Sequence, residues 1–259
     1  MSLEKLMMKH ERLVMVNDIH VPFHDELTLE SVKHGLKYMK PDRLILGGDI
    51  IDFYSISHFD KDPSRALNLE GEIEATQTVL EELVSVLPKS CKVSYLLGNH
   101  EERLQKYVHN NAPELHWVDG LKWNQMLGLH DLGIHPVNKR WMEYKGVMYS
   151  HLNRANKYGG YTAKNLGTDF NRTIVHTHTH KTGHVRHGDL HFYDNGCLCD
   201  LQPEYMSGSG PSVWSQAFMV VDYVGKQPHF TQIPIEDHNY TFDGRLFTPN
   251  GIGKLTKKK

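Results

Sequence analysis

The chain has 259 residues, 39% of them hydrophobic, enough to bury a substantial core as one large α/β domain or two small ones. A formal net charge of −2 gives no global reason to expect a long nucleic-acid duplex or an anionic membrane as partner. No apolar run approaches the ~20 residues needed to span a bilayer, and Glu4, Lys5 and Lys9 interrupt the apolar residues where a signal peptide would have its core.

In chain order, residues 13–16 read as a strand and residues 27–39 as a helix with apolar side chains at helical spacing. Residues 44–46 are a second expected strand, 69–87 a long helix stopped by Pro88, and 93–97 a third strand. This β-α-β-α-β order predicts a parallel sheet covered by helices. From 101 to 138 the pattern is helical or irregular and rich in Trp and His. A hairpin is expected over 141–151 around Lys145-Gly146, a helix over 155–170 despite Gly159-Gly160, and a strand at 173–176. Further hairpins are expected around Gly188-Asp189, near Asn195-Gly196 and at Val224-Gly225-Lys226. With no internal repeat or clear linker, the simplest organisation is one domain with two sheets over residues 1–259. Its core would lie at 11–236 and a C-terminal tail at 237–259, ending in the solvated charges Lys257, Lys258 and Lys259.

Cys91, Cys197 and Cys199 are an odd number of thiols, which argues against a disulfide framework and for a reducing, cytoplasmic setting. Cys197-Leu198-Cys199 has no partner pair and reads as buried thiols rather than a metal pair. Histidine is the unusual residue, with 19 copies, and a subset of them falls at strand ends.

Each expected strand runs directly into polar residues. Val16 is followed by Asn17-Asp18-Ile19-His20, Leu46 by Gly47-Gly48-Asp49-Ile50-Ile51-Asp52, and Leu97 by Gly98-Asn99-His100-Glu101. Tyr149 is followed by Ser150-His151, and Val175 by His176-Thr177-His178-Thr179-His180. Ligands of open α/β sheets gather beyond the carboxyl ends of strands, so these clusters can converge. On an extended chain, residues two apart face the same way, which would let Asp18 and His20 share one ion, and likewise His178 and His180. Carboxylate, imidazole and amide oxygens together suit Mn, Fe, Zn, Co or Ni better than Ca. Taken singly, Asp-x-His arises by chance, Gly-Gly-Asp is often only a turn, and the His-Thr alternation could be one face of a strand. All five in one order, each at a strand end, are hard to ascribe to coincidence.

Asp18-Ile19-His20, Gly48-Asp49-Ile50-Ile51-Asp52, Gly98-Asn99-His100-Glu101, His151 and His178-Thr179-His180 resemble the motif series of calcineurin-like metallophosphoesterases. The one departure is Thr177, where the family usually has glycine; it should alter the local turn without removing a ligand. The resemblance implies a two-sheet β-sandwich flanked by helices, with two divalent ions at its edge, manganese first among the alternatives above. By position, Asp18, His20, Asp49 and His180 would hold one ion, with Asp49 bridging to a second held by Asn99, His151 and His178. His100 would face the substrate and protonate the leaving group, as imidazoles titrate near physiological pH. Asp52 would orient a ligand by hydrogen bond, Glu101 would support His100, and His176 would pack. Hydroxide bridging the two ions would attack phosphorus in line.

Protein phosphatases of this superfamily carry Arg-Gly after the second motif's aspartate and Arg before the third motif; here Phe53-Tyr54 and Leu97 stand there, which disfavours phosphoproteins. Tyr54, His58, Phe59 and Arg65, Arg154 and Lys157, and Lys181 with its neighbours set cations beside aromatic rings. That suits a nucleotide or short nucleic-acid phosphodiester. The alternatives are a small-molecule phosphomonoesterase and a non-catalytic metal-binding module. No membrane partner is expected.

Overall fold

The computed structural model describes residues 9–58, 68–202 and 213–255; Phe59, Arg65 and the Lys257-Lys258-Lys259 run lie outside the described residues. The first half runs β1 (His10–Val16), α1 (Glu26–Met39), β2 (Arg43–Leu46), α2 (Leu69–Ser85), β3 (Lys92–Leu96), α3 (Glu101–Asn111), α4 (Trp123–Met126) and β4 (Ile134–Val137). The second half continues with β5 (Trp141–Tyr144), β6 (Val147–Ser150), α5 (Tyr161–Phe170), β7 (Thr173–His176), β8 (Thr182–His187) and β9 (Leu190–Asn195). It ends with β10 (Ala217–Val224), β11 (Gln227–Pro234), β12 (Tyr240–Phe242), β13 (Arg245–Thr248) and β14 (Gly251–Lys254).

Alternation along the strands builds the layers. One sheet has the order β11-β10-β1-β2-β3-β4, the other β5-β6-β7-β9-β8. From β1, Leu13 and Met15 point between the sheets and meet Ile45, Leu96, Val147, Tyr149 and Val175. Val14 and Val16 point the other way and pack with Leu44, Leu46, Val32, Leu36, Leu80 and Leu83 beneath α1 and α2. On the outer face of the second sheet, Ala163 and Leu166 of α5 cover Met148, Ile174 and Phe192. The result is helix, sheet, sheet, helix, the sandwich expected from the motif resemblance. Asp25 caps α1 by accepting from the Thr28 amide at 2.9 Å, and Asn68 caps α2 by accepting from Gly71 at 2.8 Å.

Three expectations change. Residues 240–254 are not a tail but a third, three-stranded sheet, β12-β13-β14, whose Tyr240 and Phe247 are buried and stack on each other at 4.9 Å. The fifth helix begins at Tyr161, not 155, because Gly160 takes a left-handed φ of 82° and starts it there. No hairpin forms at Asn195-Gly196: Cys197 pairs in parallel with Gln216, and Leu198 donates its amide to the Asp18 carbonyl. The chain therefore passes behind the end of β1 instead of doubling back.

Register decides where the functional residues go. Val16 pairs with Leu46 and Leu46 with Tyr95, all in parallel, so the loops after β1, β2 and β3 leave from the same edge. In the second sheet Ser150 pairs in parallel with His176, which brings His151 and the residues after His176 to that edge as well.

Candidate metal centre

The strand-end residues converge, but not by the alternation expected of an extended chain. Asp18 (φ 49°), His20 (56°), Asp49 (51°), His178 (74°) and His180 (55°) all sit in the left-handed region. Such backbone costs ~1–3 kcal/mol per non-glycine residue and persists where surrounding bonds enforce it. Here the Asp18 amide donates to Gly48 O at 3.1 Å and the His20 amide to Asp49 O at 3.0 Å, tying the first loop to the second. Gly48 (φ 88°) cannot carry a side chain, since its Cβ would lie 2.6 Å from His151 Nδ1. At Gly98 a Cβ would meet Asp49 Oδ1 at 2.2 Å. Because of the left-handed turns, His178 and His180 do not share a cluster: Asp18, His20 and His180 form one, and Asp49, His151 and His178 another. In each cluster the ligand atoms lie within 4.8 Å of one another.

The first cluster has the donor arrangement of a cation site. His20 Nδ1 donates to Asp52 Oδ2 at 3.0 Å, which turns its Nε2 lone pair to His180 Nε2 at 3.1 Å. Asp18 Oδ2 accepts from Asn17 Nδ2 and from the His178 amide, while buried Asp18 Oδ1 is bonded by no amide or hydroxyl among the described residues. That oxygen is 3.0 Å from His180 Nε2. Three lone-pair atoms thus face one another in a buried space, an arrangement that only a proton or a cation relieves. The pKa directions express the same demand. Burial pulls His180 down, but Cys199 and Asp18 outweigh it and lift it to about 9, while His20 is raised well above the imidazole range by Asp18 and Asp52. Asp18 is held well below the carboxylate range by His180 and His151 despite its burial.

In the second cluster His151 Nδ1 lies 2.9 Å from Gly47 O and 2.9 Å from the Thr177 hydroxyl. Its Nε2 therefore faces Asp49 Oδ2 at 3.0 Å and Asn99 Oδ1 at 3.2 Å. Against burial, Asp49 and Asp18 lift His151 to about 9, whereas burial and His151 depress His178 to about 4. Asp49 Oδ2 is also 3.9 Å from His20 Nε2, so this carboxylate looks into both clusters. Thr177, the departure from glycine, is a positioning contact: its hydroxyl bonds Gly47 O and holds His151. His176 is buried, with Nδ1 3.0 Å from Ser150 Oγ.

Beside the clusters, Asp52 is a hub. Its carbonyl oxygen accepts from His100 Nδ1 at 2.9 Å, and its carboxylate takes His20 and Arg103. His100 Nε2 lies 3.8 Å from Asp49 Oδ2, with its side chain 13% exposed. Glu101 does not support His100. It is fully buried and accepts from the amides of Gly98, Asp49 and Ile50 and from the Tyr95 hydroxyl, fastening the second and third loops together. Asp52 and Arg103 hold His100 instead.

Of the expected substrate residues, Tyr54 lies in a short 3₁₀ turn after Asp52, edge-on to Phe23 at 5.2 Å. His58 follows Ser57, which closes that turn. Arg154 pairs with Asp169 on α5, and Lys157 Nζ lies over Tyr158, so neither is brought into contact with the clusters. Four residues were missed. Arg103 was findable one helical turn after His100. Cys199, 3.7 Å from His180 Nδ1 through its sulfur, and Trp214, whose ring is 4.2 Å from that of His180, depend on loop packing. Thr177 was noted only as a departure. All three cysteines are free thiols. Among the described residues no helix is long and apolar enough to cross a membrane.

A four-layer sandwich with carboxylates, imidazoles and an amide gathered at its parallel edge defines a candidate metal centre. The family profile described as calcineurin-like phosphoesterase matches residues 11–206, and the chain belongs to that family. The gene 54 proteins of Mycobacterium phages D29 and L5 are each 24% identical to it, over 92% of this chain and 98% of theirs. Vacuolar protein sorting 29 from Cryptosporidium parvum has a similar fold, at a TM-score of 0.50 and 12% identity over 96% of this chain and 99% of that one.

Proposed function

We propose that this chain hydrolyses a phosphodiester of nucleotide or short nucleic-acid type, using two divalent cations held at the sandwich edge. The observation that carries the reading is the buried meeting of His20 Nε2, His180 Nε2 and Asp18 Oδ1, with Asp49 reaching from there to a second imidazole cluster. Asp18, His20 and His180 would hold one ion and Asn99, His151 and His178 the other, with Asp49 serving both. Manganese is the first candidate, and Fe, Zn, Co and Ni suit the same donors. Bound ions would supply Lewis acidity toward a phosphoryl oxygen and water acidified toward neutrality.

The chain's own groups do the rest. Asp52, Gly47, Thr177 and Cys199 fix the rings of His20, His151 and His180, so that ring nitrogens point inward with little reorganisation. His100 is anchored through Nδ1 and presents Nε2 beside Asp49, where it would meet the leaving oxygen of a bound ester. Trp214 against His180 puts an aromatic ring at the site, which favours a substrate carrying a base or aryl group.

The test is hydrolysis of a bis-aryl phosphate diester and of its aryl monoester by protein stripped of metal and titrated with Mn²⁺, with Asp49→Asn as control. The expected result is Mn²⁺-dependent diester turnover that falls at least ~10³-fold in the variant. Monoester-only turnover would replace the diester reading with a phosphomonoesterase. No turnover of either ester by protein with both ions bound would leave a metal-binding module.

A further inference from the structure

Resting on the phosphoester reading above, we propose that Arg103 is a substrate-contacting residue of this site, its guanidinium taking a non-bridging oxygen of the phosphoryl group next to His100.

Arg103 lies on the first turn of α3, three residues beyond His100, so the two side chains share one face. Its NH1 donates to Asp52 O and to Asp52 Oδ1, both at 2.9 Å, and its NH2 lies 3.0 Å from His100 Nε2. The same Nε2 is 3.8 Å from Asp49 Oδ2, the carboxylate that looks into both clusters. NH2 therefore lies one contact away from the imidazole nitrogen that would meet the leaving oxygen. The guanidinium is already aimed, because Asp52 Oδ2 is engaged by His20 and His100, leaving Oδ1 and the carbonyl oxygen to grip NH1. Its side chain is 16% exposed, which leaves an edge accessible to a ligand.

Charge points the same way. Asp18, Asp49, Asp52 and Glu101 crowd this edge, and a phosphate ester arrives as an anion. Among the described residues Arg103 is the one lysine or arginine whose side chain bonds any member of the clusters or His100. Arg140 is bound to Glu102, and Lys181 donates to the carbonyls of Asn156 and Lys157. Both NH1 hydrogens are held by Asp52, while Nε and the second NH2 hydrogen have no protein acceptor among the described residues. A planar fork with two donors free is suited to oxyanion binding, and an arriving phosphoryl oxygen would compete with Nε2 for the third.

The experiment is calorimetric binding of inorganic phosphate to Mn²⁺-loaded wild type, Arg103→Gln and Arg103→Lys, with metal content measured on the same samples. The expected result is unchanged metal content, phosphate affinity weakened at least tenfold in R103Q, and an intermediate loss in R103K, which keeps the charge but not the fork. Should R103Q not fold, the R103K loss alone carries the test. Equal phosphate affinity in all three proteins, or no phosphate binding by the wild type, would overturn the proposal. Loss of metal from R103Q and R103K would also overturn it, by showing that Arg103 only buttresses Asp52. Phosphate binding needs no turnover: a wild type that binds phosphate through Arg103 but cleaves no ester would refute the hydrolase reading alone. Ester turnover with KM unchanged in R103Q would refute this one alone.

Discussion

The two ends of the sandwich both gather charge, and they dispose of it differently. At the end where β1 begins, Glu11 accepts from Arg43, Tyr144 and Lys145, clamping the first sheet to the hairpin of the second. Arg43 also lies 4.1 Å over the Tyr144 ring. At the other end of the same strand, about 20 Å along an extended chain, Asp18 Oδ1 and the Nε2 atoms of His20 and His180 meet only one another, with no further hydrogen-bond partner among the described residues. Charge that finds partners within the chain is architecture. Charge left converging on itself, on left-handed backbone, points to something bound from outside.

The comparison breaks most visibly if the metal-bearing end proves to be as self-sufficient as the clamp. Glu101 is the test with the largest effect. Its carboxylate is the acceptor for three loop amides and the Tyr95 hydroxyl, so Glu101→Ala strands buried donors that water does not reach. We expect a loss of ~3–5 kcal/mol in urea unfolding, together with loss of bound metal, since Asp49 is set by the same amides. A loss below ~1 kcal/mol would mean that the loops hold their left-handed turns unaided.

Asp52 probes the positioning of ligands more gently. Asp52→Asn keeps the shape but weakens the acceptor that turns His20 Nε2 inward. Metal affinity, read by competition with a chelator, should fall ~10–100-fold. Cys199→Ala should cost less, since Cys199 meets His180 Nδ1 at 3.7 Å. Glu11→Gln, at the other end, should leave metal affinity unchanged; an equal fall there would show that the two ends are coupled.

Much of this division was legible in the sequence. Apolar runs broken by Gly-Asp, Gly-Asn-His or Asp-x-His mark strand ends, and β-α-β order puts such ends on one edge. What local pattern could not supply was the geometry inside the turns. Asp18 and His180 are 162 positions apart, and their approach depends on how the two sheets stack, as does the contact of Thr177 with His151. Glu101 looked like a partner for the adjacent His100, yet in the first turn of α3 its side chain points back under the loops. The third sheet escaped notice because strands of three or four residues around Gly244 and Gly251 show too little alternation to register. Arg103 needed only the helix period carried one turn further.

The clamp yields the smallest effect but the one with the clearest sign. Burial works against ionised Glu11, yet Lys145, Tyr144 and Arg43 hold its pKa at about 2, below the usual 4.5. A carboxylate whose pKa is depressed by folding stabilises the fold above its unfolded value, and that stability is lost as pH falls from about 4.5 toward about 2. Because the clamp sits partly in solvent, screening reduces its contribution to about 1 kcal/mol. Wild type should therefore lose that much more stability than Glu11→Gln between pH 6 and pH 2.5, in protein freed of metal so that ligand protonation is common to both. Parallel pH profiles for the two proteins would mean that the three partners hold Glu11 in place without favouring its charge, and the contrast between the two ends would then rest on the metal-bearing end alone.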